Sequence, residues 1–342
     1  MPLPPWLDGP VLVTGGAGFV GANLVRRLVA SSVEVHLLLN STIDTWRVAE
    51  LAGWTRQDVP LHDQMAVDDL FDRVRPRVVF HLAAHGAYSW QSDEELMIQT
   101  NILGTKNLLR AASRSGVAAF VSSGSSSEYG FSDRATHETD RVEPNSAYAL
   151  TKAAAAMYCR LVASETGLWA PTLRLYSVYG PFEDPGRLFP ALVGAALSGR
   201  LPVLADPRTA RDFVYVEDVV DALLKAAARG PVLKAATGDA GRIFNVASGR
   251  MTSLEALVDL VSEVFNLTES PQWGSMDDRA WDARIWVGDP SRSLAELGWK
   301  PRVGLREGLR LMSDWMSSPA AGTLYARCGH SRQVGSGPTQ HG

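Results

Sequence analysis

A short apolar run, Pro10-Val11-Leu12-Val13-Thr14, leads straight into Gly15-Gly16-Ala17-Gly18-Phe19-Val20-Gly21, and residues 22–30 follow with helical periodicity. Few folds accept Gly-x-x-Gly-x-x-Gly between a buried strand and a helix. Glycines let the backbone turn tightly and approach a diphosphate, whose charge is met by amides at the helix N-terminus. Three glycines alone also make an ordinary tight turn. The strand–loop–helix context at the start of the chain is what points to dinucleotide binding.

The alternation continues downstream. Residues 33–39 read as a second strand, 68–74 as an acidic helix, and Arg77-Val78-Val79-Phe80-His81-Leu82 as another strand. Helical periodicity over 102–113 precedes a strand at 117–122, an Ala-rich helix at 148–164 and a strand at 172–176. This spacing implies an α/β fold: a doubly wound, Rossmann-type parallel sheet with helices on both faces. From Pro181 the rhythm breaks into longer loops, with helices over 191–198 and 253–264. Segments 213–216 and 243–246 read as returns to the sheet, so a smaller substrate domain is interleaved with the first. The expected division is a dinucleotide-binding domain over 9–176 with returns near 213–248, and a mainly substrate-binding region over 177–316. Residues 317–342 lack apolar periodicity and are expected to form a disordered tail.

Composition narrows the partners. Lys and Arg number 33 against 37 Asp and Glu, a formal net charge of −4, which argues against nucleic acid. Two cysteines, Cys159 and Cys328, supply neither a disulfide framework nor a Cys-rich zinc site, and no metal is expected. No window approaches about 18 uninterrupted apolar residues, and the opening MPLPPWLDGP is not signal-like. The expectation is a soluble, cytoplasmic protein.

At the end of the second strand an NAD-specific site usually carries an acid for the ribose hydroxyls. Asn40 stands there instead, and Arg47 lies just beyond, within reach of a 2′-phosphate. NADP(H) is therefore favoured over NAD(H). Further on, Tyr148-Ala149-Leu150-Thr151-Lys152 sets a phenol and an ammonium on one helix face. A nearby cation lowers the phenol's pKa, so that Tyr exchanges a proton near neutral pH. Upstream, Val121-Ser122-Ser123-Gly124-Ser125-Ser126-Ser127-Glu128-Tyr129-Gly130 leaves a strand end rich in hydroxyls, where parallel sheets bind ligands.

With these residues in place, the chain over residues 9–316 resembles the extended short-chain dehydrogenase/reductase family, in the branch acting on nucleotide-linked sugars. The resemblance rests on Gly15/Gly18/Gly21, His81-Leu82-Ala83-Ala84, residues 101–105, the Ser-rich segment ending Tyr129-Gly130, and Tyr148-x-x-x-Lys152. Residues 174–181 and Arg211-Asp212-Phe213-Val214-Tyr215-Val216-Glu217-Asp218 complete it. It implies that Tyr148 is the acid/base, that Lys152 holds the nicotinamide ribose, and that Ser125 bonds the reacting oxygen. It places Asp63 near adenine and Ala83 and Ala84 near the diphosphate and ribose. Phe19, Val20, Asn101, Ser123, Tyr176 and Val178 are implied to line the cofactor. Ser126 and Ser177 are implied beside the sugar, with Arg211 and Arg279 clamping the substrate diphosphate. Family members commonly dimerise through two helices per subunit, here 101–113 and 148–164, so a homodimer is expected.

Departures from the family bear on the reaction. Sugar-nucleotide 4,6-dehydratases carry an acid pair, or at least a Glu, where this chain has Ser126 and Ser127. Glu128 is displaced by one residue, which on an extended segment turns it to the other side. Dehydration and uronate decarboxylation are disfavoured. Hydride transfer at one carbon remains, by a 4-epimerase or a 4-ketoreductase. Asn40, Ser177 in place of an epimerase Asn, and the segments 44–47 and 176–181 look most like reductases of nucleotide-linked 4-keto-6-deoxyhexoses. Such enzymes make deoxysugars of surface glycans or antibiotics. A dinucleotide sensor without turnover is the other class of reading, but such proteins usually lack the Tyr or Lys retained here.

Overall fold

The apolar runs of the first half become adjacent strands of one sheet, and the polar segments between them become its covering helices and edges. The computed structural model describes residues 9–41, 43–274 and 286–335, with side chains through 327. The chain opens with β1 (Val11–Thr14), α1 (Phe19–Ala30), β2 (Val35–Leu39), β3 (Trp54–Asp58), α2 (Gln64–Val74) and β4 (Val78–His81). Next come α3 (Glu94–Met97), a π-helical stretch (Ile98–Gly104), α4 (Thr105–Arg114), β5 (Ala119–Ser125), a 3-10 turn (Ser126–Tyr129) and α5 (Ala147–Thr166). After β6 (Thr172–Leu175) and β7 (Ser177–Tyr179) follow α6 (Leu188–Leu197), β8 (Val203–Leu204), β9 (Ala210–Arg211), β10 (Phe213–Tyr215), α7 (Val216–Ala228) and α8 (Gly230–Thr237). The last elements are β11 (Ile243–Val246), β12 (Thr252–Ser253), α9 (Leu254–Phe265), β13 (Gln272–Trp273), α10 (Ser291–Leu297), α11 (Leu305–Met316) and α12 (Pro319–Gly335).

Seven parallel strands in the order β11-β6-β5-β4-β1-β2-β3 form the main sheet, with Val13 paired to Leu37 on one side and Phe80 on the other. The order steps outward in both directions from β1 and β4. The loops leaving these two strands therefore diverge and open a crevice at their carboxyl ends, where doubly wound sheets bind ligands. Strands β1, β4 and β5 are buried on both faces, which explains their nearly continuous apolar runs. Strand β3 has no counterpart among the expected strands. It is the sheet's edge, and its Thr55, Arg56 and Asp58 face solvent, so it carries no apolar run to recognise.

Two expectations are corrected. Residues 243–246 do return to the sheet, as β11 on its far edge, but 213–215 do not. Strand β10 pairs in parallel with β7 in a separate ribbon, Val214 against Val178, because β7 leaves the main sheet directly after β6. Of the expected disordered tail over 317–342, residues 319–335 are instead helical as α12, and residues 336–342 lie outside the described residues. Ala321 and Leu324 are buried, and Leu324 and Tyr325 pack on Trp46 and Phe182. Leu324 and Tyr325 against Trp46 and Phe182 suffice to seat a helix whose own sequence lacks a continuous apolar stripe.

Apolar side chains gather in two main cores. The larger lies around the sheet, α1, α2, α4 and α7. The smaller joins α6, α9 and α11 through Leu192, Leu257, Val258, Leu309 and Met312, with Tyr179 and Tyr215 at its border. The crevice runs between them.

Candidate active site

The glycine loop is shaped by contacts that exclude side chains. Gly15 has φ +69°, and a Cβ there would meet Ala83 N and Leu82 C at 2.5 Å. At Gly21 a Cβ would stand 2.1 Å from Gly15 O. Helix α1 begins at Phe19 with Gly18 as its cap and no side-chain acceptor. Its first amides, at Phe19, Val20 and Gly21, have no intrahelical partners and face the crevice end of β1. This cradle fits a dinucleotide diphosphate, since only bare backbone comes close.

Behind the loop runs a buried hydrogen-bonded chain. Thr105 Oγ1 donates to Asn101 O at 2.6 Å, so its lone pair is left for His81 Nε2–H at 2.8 Å. His81 Nδ1 then accepts from Thr14 Oγ1 at 2.7 Å, and Thr14 in turn accepts the Ala83 amide at 3.2 Å. Burial, with Lys152 nearby, pushes His81 down to about 3, so the imidazole is neutral and this tautomer is fixed. Asn101 sits in the π-helical stretch. It donates to His85 O and Thr151 Oγ1, both at 2.9 Å, and accepts the His85 amide at 2.8 Å. The loop carrying Ala83 and Ala84 is thereby tied to both β1 and α5. Asp63 caps α2, accepting the Ala66 amide at 3.1 Å, and remains exposed at the crevice side of its turn.

The proton-bearing group lies at the end of β5. Ser146 caps α5 by accepting the Ala149 amide at 3.2 Å, which sets Tyr148 and Lys152 in its first two turns. Burial raises the Tyr148 phenol to about 12, while a hydrogen bond with Ser125 pulls it down. Lys152 is buried and donates to Ser123 O at 2.5 Å. Burial lowers its pKa and Glu128 raises it. The expected depression of the phenol by Lys152 is therefore not the dominant effect. The ammonium needs an acceptor once buried, and it takes the β5 carbonyl; Arg187 is the cation that lowers the phenol. Ser123 Oγ donates to His81 O at 3.3 Å.

Ser126 to Tyr129 form a 3-10 turn rather than an extended segment, so the displaced acid is turned inward and not merely across a strand. Glu128 is fully buried, accepting the Ser125 amide at 2.8 Å and Arg174 Nε at 2.7 Å. Neither oxygen faces the crevice as a free acid. Ser126 instead accepts the indole N–H of Trp286, and Arg211 lies over the Trp286 ring with its guanidinium carbon 5.5 Å from the centroid. Among the described tryptophans, Trp286 thus lies beside the expected substrate residues Ser126 and Arg211. Ser177 and Val178 are half-buried on β7. Tyr176 is expected at the cofactor, yet its ring is buried beneath Gly288 and its hydroxyl bonds Thr136. Arg279 lies outside the described residues.

Arg47, expected as a 2′-phosphate ligand, lies between the glycine loop and residues 180–187, with Nη1 3.5 Å from Ala17 O. It is buried, donates through Nε to Phe182 O at 2.7 Å and packs on Trp46. Asn40 at the end of β2 is exposed. The loop that Arg47 grips, residues 180–187, is expected from the sequence only as one of the longer loops from Pro181, with no role for its charged residues. Asn23 donates to Pro181 O at 3.0 Å, Tyr325 donates to Glu183 O at 3.1 Å, and Phe182 is held at φ +68°. Glu183 is buried and pushed up to about 8 by that burial, with Arg187 opposing. Arg187 also lies over Tyr88, 5.5 Å from its centroid. The acid pair and Arg after Tyr179-Gly180-Pro181 were the available signal.

Comparison with known proteins agrees with this geometry. Residues 11–247 match the family described as the NAD dependent epimerase/dehydratase family. A UDP-glucose 4-epimerase of Mycolicibacterium smegmatis is 32% identical over 311 residues, covering 87% of this chain and 95% of the relative. A dTDP-glucose 4,6-dehydratase of Streptomyces griseus is 29% identical, covering 89% and 93%. The UDP-glucose 4-epimerase of Thermus thermophilus, solved in complex with NAD, superposes with a TM-score of 0.76 at 31% identity, over 91% of this chain and 99% of that one.

Proposed function

The chain belongs to the NAD dependent epimerase/dehydratase family, and from that premise we propose that it transfers hydride at C4 of a nucleotide-linked hexose, as an NAD-dependent 4-epimerase. One observation carries the reading: Ser125 at the end of β5 draws the Tyr148 phenol down against the burial that raises it, and the turn beyond offers serines where a dehydratase needs acids. A bound nicotinamide supplies the hydride acceptor and donor.

This chain's residues do the rest. Amides of Phe19, Val20 and Gly21 with Gly15 and Gly18 hold the diphosphate. Asp63 takes the adenine end, Ala83, Ala84, Asn101, Ser123 and Val178 line the cofactor, and Lys152 holds its ribose. Ser125 aligns the sugar oxygen against Tyr148, which as the phenolate would accept the C4 hydroxyl proton and, as the phenol, return it. Ser126, Ser177, Arg211 and Trp286 bound the sugar nucleotide, with the Arg211 guanidinium suited to its diphosphate. Arg47 donates to Phe182 O through Nε, which weakens its case as a 2′-phosphate ligand. The exposed stripe Leu150, Met157 and Leu161 on α5, beside Ile98 and Leu103, supports a homodimer through α5 and the π-α4 helix.

A second reading, NADPH-dependent reduction of a 4-keto-6-deoxyhexose, is favoured by Ser177 and by Asn40 in place of an acid. Denaturing the purified protein and identifying its released dinucleotide begins the test. Absorbance at about 340 nm is then followed with nucleotide-linked hexoses and 4-keto sugars. Retained NAD, no net change in absorbance and interconversion of 4-epimers support the epimerase. Stoichiometric NADPH loss with a keto sugar overturns it in favour of the reductase.

A further inference from the structure

Glu128 is a buried charge directly beneath the proposed reacting groups, and the reaction as described makes no use of it. One of its oxygens accepts the Ser125 amide at 2.8 Å and the other accepts Arg174 Nε at 2.7 Å. Gly124 makes room for it, since a Cβ there would lie 2.7 Å from Glu128 Oε1. Arg174 is effectively always protonated, so a guanidinium buried to this degree needs the carboxylate form opposite it. The pair is not required to align its strands. Residues Gly124 and Ser125 of β5 already pair with Arg174 and Leu175 of β6 through the sheet ladder.

Lys152 Nζ donates to Ser123 O at 2.5 Å while Glu128 Oε1 accepts the Ser125 amide two residues along the same strand, so both charges lie against the end of β5. Burial raises the Glu128 carboxyl, and Arg174 opposes that rise. His81 and Cys159 are the other titratable groups acting in this region. His81 is neutral for the reason given above. Burial pushes the Cys159 thiol up to about 11, so it is neutral as well. Glu128, with Arg174 on its far oxygen, is then the charged neighbour that opposes the loss of the lysine proton.

We propose that Glu128 is a positioning residue for Ser125, Tyr148 and Lys152: its carboxylate anchors the Ser125 backbone at the end of β5 and supplies the counter-charge that keeps Lys152 an ammonium. The assignment rests on the hydride-transfer reading above. It names a role for an acid that does not touch substrate.

The lysine can be read directly. The chain has five lysines, Lys106, Lys152, Lys225, Lys234 and Lys300. Protein labelled with 13C at the lysine ε carbons therefore gives few signals, and Lys152→Met assigns the one of interest. In Glu128→Gln the Lys152 titration midpoint moves to lower pH, and kcat falls about 10- to 100-fold with KM nearly unchanged. Glu128→Asp keeps the charge but shortens the reach to the Ser125 amide; the midpoint stays and kcat falls. If Glu128→Gln does not fold, Glu128→Gln combined with Arg174→Met removes the guanidinium that would be left without its carboxylate, and the Lys152 midpoint falls in that protein. A Lys152 midpoint that does not move when the carboxylate is removed overturns the proposal, as does wild-type kcat in Glu128→Asp. Inactivity of the wild type toward every nucleotide hexose overturns the functional reading instead, and leaves the lysine titration to stand alone.

Discussion

Replacing Gly21 by alanine tests the cradle at its tightest point. The added Cβ would lie 2.1 Å from Gly15 O, 2.8 Å from Gly15 C and 2.9 Å from Gly16 Cα, all backbone atoms that cannot rotate aside. Ordinary carbon contacts lie near ~3.5 Å, so the loop and the first turn of α1 must separate by more than about 1 Å. Overpacking of this kind costs about 1–3 kcal/mol, which lowers the melting temperature by a few degrees. A displacement of that size also moves the α1 amides off the diphosphate, and NAD affinity falls about 100-fold. Thermal unfolding without ligand and a fluorescence titration with NAD measure the two effects. Gly304→Ala is the control, because a Cβ there meets nothing within 4 Å. If Gly21→Ala melts and binds NAD like the wild type while Gly304→Ala does too, the steric argument for this loop is wrong.

Three other outcomes are expected. Tyr148→Phe loses about 10²- to 10⁴-fold in kcat while NAD binding, followed by fluorescence, is retained; equal losses in both would show a structural role instead. Glu183 has a folded-state pKa of about 8 against an ordinary 4.5, so the folded chain binds more protons across that window and stability declines as pH rises through it. Glu183→Gln therefore raises the melting temperature at pH 9 and changes it little at pH 4, and the opposite pattern would contradict the assignment. Met157→Glu puts a charge in the exposed α5 stripe; sedimentation should show the wild-type dimer become a monomer, and a monomeric wild type refutes the interface.

Much of the central sheet was readable because its strands are buried on both faces. Runs such as Val11 to Thr14 and Val78 to His81 announce themselves as apolar, whereas β3 at the sheet edge alternates polar residues and does not. The same logic applies in the second half. The short segment Phe213–Tyr215 looks like any other strand, and only the departure of β7 from the sheet decides that it pairs there. Helix α12 has no stripe of its own and is seated by Trp46 and Phe182, residues far away in the chain.

At the site, the local sequence determined what depends on neighbours along the backbone. The glycine spacing, the cap at Ser146, and the placement of Tyr148 and Lys152 one helical turn apart all follow from short-range geometry. What those groups do electrostatically depends on partners brought in by the fold. Arg47 donates to a carbonyl 135 residues away, a partner that no local pattern announces. Lys152 finds the Ser123 carbonyl, Glu128 finds Arg174, and Trp286 arrives beside Ser126 from 160 residues downstream. Charge and hydrogen bonding act through space, and only tertiary structure decides which distant residues share that space.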